Sequence, residues 1–569
     1  MEPIIEFKNF NFKYRAQTEP TLYDINLTIY PGEKVLIVGP SGSGKSTLSN
    51  CINGLVPFFY QGDVSGEYYI KGQDPAKLGI FGLSKYVGTV LQDTDGQFIG
   101  LTVAEDIAFA MENDLVDQEE MKKRVAATAD IVEVSKLLEY APTRLSGGQK
   151  QRVSIAGVMV GEEEILLLDE PLASLDPATG KKTMALVDDI RQSSGRTIIV
   201  IEHRLEDALY RDMDRIILMS EGRIVADMSP DELLASDLLE KHGIREPLYV
   251  SAIKAAGCRI DAADRPQHIE TMNLAPYVEA VRNWYETTEP EHHQVSEEDA
   301  LKVENIDFSY IPGNKVLSDI TFSVKKGEML AIAGKNGSGK TTMSNLICGF
   351  IVPDKGTIYL DGRDIAPLSV KERGERIGMV MQNPNQMISK TMISEEVGLG
   401  LQVRGVPEEE IKERVNETLK ICGLYPFRNW PISALSYGQK KRVTIASILV
   451  LKPDIMILDE PTAGQDRRHY TEIMEFVKKI NEDQGITIIM ITHDMHLMLE
   501  YADRAVVIAD GELIANASPA DVLSDENITD RAYLKKTSLY DLAVECKIDE
   551  PESFVARFIS SEKEKRRAD

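Results

Sequence analysis

The sequence predicts an α/β fold built twice over. Each half has a parallel-sheet core, a β-subdomain, an inserted helical subdomain and a helical tail. Three observations lead there. Gly39-Pro-Ser-Gly-Ser-Gly-Lys-Ser46 and Gly334-Lys-Asn-Gly-Ser-Gly-Lys-Thr341 both fit G-x-x-x-x-G-K-[ST], each between a short apolar run and a helical stretch. Later landmarks recur at one offset: Gln92 and Gln382, Ser146 and Ser436, Asp169 and Asp459, His203 and His493 each lie 290 residues apart, the mark of an internal repeat. After residue 140, apolar runs alternate with helical stretches, the pattern of parallel strands covered on both faces.

Size and charge narrow the field. With 569 residues the chain exceeds one core, and 43% hydrophobic with 27% charged residues is ordinary globular composition. No apolar run is long enough to span a bilayer, and Met-Glu-Pro-Ile-Ile-Glu-Phe lacks the layout of a signal peptide. A net charge of −27 argues against a nucleic-acid partner and against direct adhesion to anionic lipid. The five cysteines lack metal-ligand spacing, so reduced thiols in cytosol are expected, with Cys51 and Cys348 as core packing.

Within the first half, residues 4–14 alternate like a half-exposed strand closed by Tyr14, as Tyr310 closes the matching strand of the second half. A strand-end aromatic can stack on an adenine or simply pack. Lys34–Val38 and Glu328–Ala333 are buried-strand runs feeding the two loops. A loop of this kind wraps backbone N–H groups around a phosphate, aided by the helix N-terminus. The residues involved are Gly39, Ser41, Gly42, Gly44 and Thr47 in one copy, and Gly334, Asn336, Gly337, Gly339 and Thr342 in the other. Lys45 and Lys340 are placed to reach β and γ phosphates, and the Ser46 and Thr341 hydroxyls to ligate Mg²⁺. The two loops lie 295 residues apart, so the first half is five residues longer between loop and glutamine. A β-rich stretch is expected up to about residue 92, and residues 103–140 read as the inserted helices.

Glu164-Ile-Leu-Leu-Leu-Asp169-Glu170 and Asp454-Ile-Met-Ile-Leu-Asp459-Glu460 are apolar runs ending in paired acids. A buried parallel strand delivers such carboxylates to the sheet edge where ligands sit, with Asp169 and Asp459 as metal holders and Glu170 and Glu460 as general bases. Leu145-Ser-Gly-Gly-Gln149 and Leu435-Ser-Tyr-Gly-Gln439 open helices, either as plain N-caps or as further anion sites.

With that element the sequence resembles the ATP-binding cassette (ABC) ATPases over nearly its whole length. The resemblance implies two P-loop ABC nucleotide-binding domains with RecA-like cores, at 1–240 and 301–525, a helical tail and acidic linker at 241–300, and a helical C-terminal tail at 526–569. It makes Gln92 and Gln382 the Q-loop, which also contacts metal. Ser174-Leu-Asp176 and Gly464-Gln-Asp466 become the D-loops, and His203 and His493 the switch histidines. It further implies that the two cassettes pair head to tail within the chain. Lys45, Ser46, Gln92, Asp169, Glu170 and His203 then work with Ser436, Gly438 and Gln439, and Lys340, Thr341, Gln382, Asp459, Glu460 and His493 with Ser146, Gly147, Gly148 and Gln149. Tyr437 in place of a signature glycine and Gly464-Gln465 in the D-loop depart from the pattern, yet both sites keep Glu and His, so both are expected to hydrolyse ATP.

Gln92-Asp-Thr-Asp-Gly-Gln-Phe-Ile-Gly with the following Thr102-Val-Ala-Glu-Asp-Ile-Ala-Phe-Ala, and Ile201-Glu-His-Arg-Leu-Glu206, are similar to fused energy-coupling factor ATPases. That resemblance implies a peripheral protein on the cytoplasmic face of the membrane, beneath a T-component scaffold and a substrate-binding S-component, powering uptake of a vitamin, a vitamin precursor or a metal ion. A tandem ATPase of a sugar or nucleoside ABC importer is the nearest alternative. A soluble ABC translation factor is further off, because residues 276–300 read as a short acidic spacer rather than a long charged helical linker. His292 and His293 in that spacer have no ligand partners in sequence.

Overall fold

The computed structural model describes residues 2–173, 175–290, 296–463 and 465–568. Ser174 and Gly464 of the expected D-loops, and His292 and His293, lie outside the described residues. The chain divides into two compact units, Met1–Trp284 and Tyr285–Asp569.

The first unit contributes strands β1 (Ile5–Tyr14), β2 (Leu22–Ile29), β3 (Lys34–Val38), β4 (Gly62–Ile70), β5 (Val87–Val90), β6 (Ile165–Asp169), β7 (Thr197–Ile201), β8 (Arg215–Ser220) and β9 (Arg223–Met228). A strict alternation in β1 would put Phe7 and Phe10 on opposite faces. A bulge between Lys8 and Asn11, with Asn9 at φ 46°, resets the phase so that Phe7, Phe10 and Phe12 are all buried. The sheet β2-β1-β4 that results is antiparallel. The larger sheet runs β5-β6-β7-β3-β8-β9, parallel except for the β8–β9 pair at its edge.

Because β3 and β7 are central, alternate residues of each enter different cores. Val35, Ile37, Ile199 and Ile201 join β1 and the helix Lys45–Ile52. Leu36, Val38, Ile198 and Val200 join the inserted helices Val103–Asn113 and Gln118–Ile131 through Val103, Ile107, Met111 and Val125. An unbroken apolar run therefore serves two hydrophobic layers, and the inserted helices are attached to the same sheet that carries the loops.

The second unit repeats this with β10 (Asp299–Phe308), β11 (Leu317–Lys325), β12 (Met329–Ala333), β13 (Lys355–Leu360), β14 (Arg363–Asp364), β15 (Ile377–Val380), β16 (Ile455–Asp459), β17 (Thr487–Thr492), β18 (Arg504–Ala509) and β19 (Glu512–Ala517). Its sheets run β11-β10-β13-β14 and β15-β16-β17-β12-β18-β19. Even the bulge recurs, at Asn305 with φ 50°.

Gly66 and Gly356 hold equivalent places, since an added Cβ would lie 2.2 Å from Asn9 O and 2.4 Å from Asn305 O respectively. The extra length of the first half therefore falls between Gly54 and Gly66. There it makes a short helical turn, Leu55–Phe58, and leaves Phe59 and Tyr60 exposed. The stretch before residue 92 is less purely β than expected, because Pro75–Leu83 is a helix capped by Asp74. Within the expected linker, residues 278–287 form a helix with Val281 fully buried. The tails share an anchoring pattern, with Leu248 and Ile260 buried in one and Leu539 and Ile548 in the other. The second tail adds a long helix, Pro551–Ala568, which buries Phe554 and Phe558. Among the described residues no helix is long and apolar enough to cross a membrane.

Candidate functional site

Each site grows from the C-terminal edge of the larger sheet. β3 ends at Val38 and the chain turns through Gly39–Gly44 into the helix Lys45–Ile52. Gly42 has φ 77° and nothing within 4 Å of a would-be Cβ, so backbone conformation is what demands glycine there. Gly39 is required for the opposite reason, close approach, since a Cβ would sit 2.2 Å from Met219 O. The second copy repeats both, with Gly337 at φ 80° and Gly334 against Ile508 O.

Lys45 is buried inside the loop and donates to Gly39 O at 2.7 Å and Pro40 O at 3.0 Å. Lys340 donates to Gly334 O at 2.7 Å and Lys335 O at 2.9 Å. Neither helix has a side-chain cap or an acidic residue in its first turn, so no carboxylate of the helix itself competes for the N–H groups there. A buried ammonium and a helix N-terminus without a side-chain cap, at the end of a glycine-rich loop, make a donor set that fits a polyphosphate. Ser46 and Thr341 are exposed at this end. Tyr14 closes β1 with its hydroxyl 3.1 Å from Thr47 Oγ1 and its ring edge-on to Phe12, while Tyr310 Oη lies 3.3 Å from Thr342 Oγ1.

β6 brings Asp169 to the same edge, in register with Ile201 of β7, which is itself in register with Ile37 of β3. Glu170 then turns the chain with φ 47°, and Glu460 does the same with φ 42°. A non-glycine residue held in this region is strained, and strain of this kind gathers at functional sites. The turn points the Glu170 carboxylate at two partners. Gln92 Nε2 donates to it at 2.6 Å, and His203 Nε2 lies 2.9 Å away. Glu460 instead meets His493 Nδ1 at 2.6 Å and accepts from Thr492 Oγ1 at 3.4 Å. Burial and the neighbouring Glu170 charge push Asp169 up to about 6, against the pull of Lys45 and His203. Asp459 is likewise raised to about 6 by burial and Glu460, against Lys441 and Lys340. A buried carboxylate set beside a second carboxylate gains from a divalent cation, so the residues present fit a metal there.

Ser146 and Ser436 do form N-caps. Each hydroxyl accepts from the N–H three residues on, Gln149 or Gln439, whose side-chain oxygen accepts in return from the serine N–H at 2.9 and 3.0 Å. The serine and glutamine of each signature are thus fixed by a capping box. Gly148 permits close approach to the helix Pro177–Ser194, with Thr179 Cγ2 2.5 Å from a would-be Cβ. Within its own unit each half therefore gathers the loop lysine, the paired acids and the histidine at one edge, while the signature residues bond within their own helix cap.

Two braces went unread in the sequence. Glu202, fully buried beside His203, accepts from Leu172 N at 2.7 Å, His203 N at 3.0 Å and Arg204 N at 3.3 Å. Burial raises it to about 7 despite the Arg204 charge. Arg204 in turn donates to Leu172 O and Leu175 O at 2.8 and 3.1 Å. In the second half Lys441 is buried, its ammonium lowered to about 8 by desolvation, with Asp459 and Glu460 opposing. Aligning the halves exposes both, since Glu202 and Arg204 face Thr492 and Asp494, and Lys441 faces Gln151.

Comparison with known proteins agrees with this arrangement. The family described as ABC transporter matches residues 22–173 and 317–463, and one described as ATP-binding cassette cobalt transporter matches residues 236–308. A chain from Clostridium perfringens named as an ABC transporter ATP-binding protein is 56% identical over 98% of this chain and 98% of its own. One so named from Enterococcus faecalis is 55% identical over 99% of each. A solved chain, cbiO1 from Clostridium perfringens, described as part of the ABC transporter complex cbiONQ, aligns at 36% identity over 41% of this chain and 94% of its own, with a TM-score of 0.39. Two cassette matches, relatives of equal length and a duplicated phosphate-loop edge lead to one conclusion: the chain belongs to the ABC transporter ATP-binding family, as a two-cassette ATPase.

Proposed function

We propose that this chain is the motor subunit of an energy-coupling-factor-type importer, bound at the cytoplasmic face of the membrane to a T-component scaffold and a substrate-binding S-component. The observation that carries the reading is the match of residues 236–308, which include the first tail, to a family described as ATP-binding cassette cobalt transporter. It joins the resemblance of the segments after Gln92 and around Glu202 to the same group. Among the cargo classes the resemblance allows, that description favours a metal ion.

ATP with Mg²⁺ supplies the phosphoanhydride whose cleavage drives the stroke. On this reading Lys45 and Lys340 bind phosphate, Ser46, Asp169, Gln92 and Thr341, Asp459, Gln382 hold the metal, and Tyr14 and Tyr310 face the base. Glu170 and Glu460 accept a proton from the attacking water, oriented by His203 and His493. The cross-pairing of Ser436 and Gly438 with the Lys45 set, and of Ser146 and Gly148 with the Lys340 set, belongs to the same proposal and comes from the family resemblance.

Purification of the full chain from detergent-solubilised membranes, with mass spectrometry of what accompanies it, tests the importer assignment. A small multi-spanning scaffold with a separate solute-binding membrane protein is the expected result. Two large permeases and a periplasmic-type binding protein would move the chain to a sugar or nucleoside importer, and ribosomes without membrane protein would overturn the transport assignment.

A further inference from the structure

The two signature helices treat their own Q-loops differently. In the second unit, Lys441 on the helix Tyr437–Leu449 is 1% exposed and donates at 2.8 Å both to Met381 O and to Gln382 O. Tyr437, one helical turn earlier, donates its hydroxyl to the same Gln382 O at 3.4 Å. Residues four apart share a helix face, so the two donors converge on one stretch of backbone. An ammonium taken wholly out of water is costly unless fully hydrogen-bonded and opposed by negative charge. Here the two carbonyls take two of its three N–H donors, and the nearby Asp459 and Glu460 oppose its charge.

At the equivalent places the first unit has Gly147 and Gln151. Glycine has no side chain to offer. Gln151 is 5% exposed, and its Nε2 has no hydrogen-bond partner among the described residues. Both Q-loops also carry an equivalent internal bond, which in the second half runs from Met381 N to Met387 Sδ at 3.1 Å. Gln97 Oε1 accepts from Leu91 N at 3.1 Å, and Gln92 reaches Glu170 through its own side chain.

We infer that Lys441, assisted by Tyr437, is a positioning residue that ties the second Q-loop to the second signature helix and so sets where Gln382 stands in its ATP site, through bonds that Gly147 and Gln151 do not supply in the first half. Lys441 acts through the Gln382 backbone and touches no reacting atom. The signature helix and Q-loop of the second half then move as one body. The inference rests on the assignment of Gln382 and Glu460 to an ATP site.

The test uses the full-length chain with Lys441→Gln, the residue the first half carries, and Lys441→Met, of similar volume without charge. Hydrogen exchange without nucleotide is the first measurement. Amides at 381–392 are expected to exchange about fivefold or more faster in both variants, with those at 91–102 unchanged. The second is ATP turnover in a Glu170→Gln background, where kcat is expected to fall about tenfold while KM moves less than about twofold. Unchanged exchange at 381–392, equal loosening of 91–102, or an unchanged kcat overturns the inference. Loss of the assignment beneath it has a separate signature: the Glu170→Gln, Glu460→Gln double variant would keep its turnover, while the exchange result would stand.

Discussion

The two halves of this chain hold the same reacting groups with different scaffolding. Lysine, strand-end aspartate, strained glutamate and histidine recur with the same backbone turn, φ 47° at Glu170 and 42° at Glu460. The loops that carry the remaining groups are tied down differently. In the first half Glu202 and Arg204 bind Leu172 and Leu175, the latter in the expected D-loop, to the segment after β7. In the second, Lys441 and Tyr437 bind the Q-loop to the signature helix. At the matching positions Asp494 caps the helix Met495–Tyr501 instead, and Gln151 Nε2 has no hydrogen-bond partner among the described residues. Duplication has kept the residues proposed for the ATP sites and let these loop braces diverge. Two sites of equal chemistry with unequal mechanical coupling are the expected result.

The largest expected effect probes the shared part. Glu170→Gln and Glu460→Gln should each lower steady-state ATP turnover, and the double variant should fall about a hundredfold or more, the usual worth of a general base. It should also retain ATP through desalting, read as bound nucleotide per chain. If one single variant kept full turnover while the other abolished it, the halves would not be chemical equals and the comparison would have to be redrawn.

A smaller effect separates the braces. Arg204→Ala removes the donor to the Leu172 and Leu175 carbonyls and takes away the positive charge that opposes the burial of Glu202, so a loss of about 2–4 kcal/mol is expected. Asp494→Ala, at the matching position, removes a helix N-cap and should cost about 1 kcal/mol. Calorimetric shifts of the unfolding transition measure both. A larger loss for Asp494→Ala would mean that the first-half brace contributes little.

Sequence legibility followed the same division. Motifs that face ligand must repeat in type and spacing, so the loops, the paired acids and the histidines could be placed by number. The β-subdomain was legible as alternation, but the bulge at Asn9 that brings Phe7 and Phe10 to one side was not, because a phase slip looks like noise in a short window. The helix over 278–287 was hidden by its polar surface, since Val281 is its one fully buried side chain among Glu, Arg and Asn. Glu202 and Lys441 were hidden because a charge beside an apolar run reads as the end of an element. Only the fold reveals that the carboxylate is enclosed by amide N–H groups and the ammonium by carbonyls. Comparing the halves column by column would have flagged both as charges without counterparts.

The smallest effect concerns what the shared acids do to stability. Asp169 and Asp459 titrate near 6 in the folded chain, against about 4 when unfolded. Between those values the folded state binds more protons, so stability falls as pH rises from about 4 to about 6 and stays at the lower level above. Replacing the aspartate removes that loss. Asp169→Asn and Asp459→Asn should therefore each stabilise the nucleotide-free chain by about 1 kcal/mol at pH 8, after allowance for solvent screening, and by nothing at pH 4. Unfolding midpoints across that range, in chelator, give the answer. Because both aspartates are raised by the same two causes, burial and the adjoining glutamate, the gains should be equal within error. A gain confined to Asp169→Asn would mean that Lys441, which faces Asp459 where the first half has a neutral glutamine, already neutralises the second site in the folded chain.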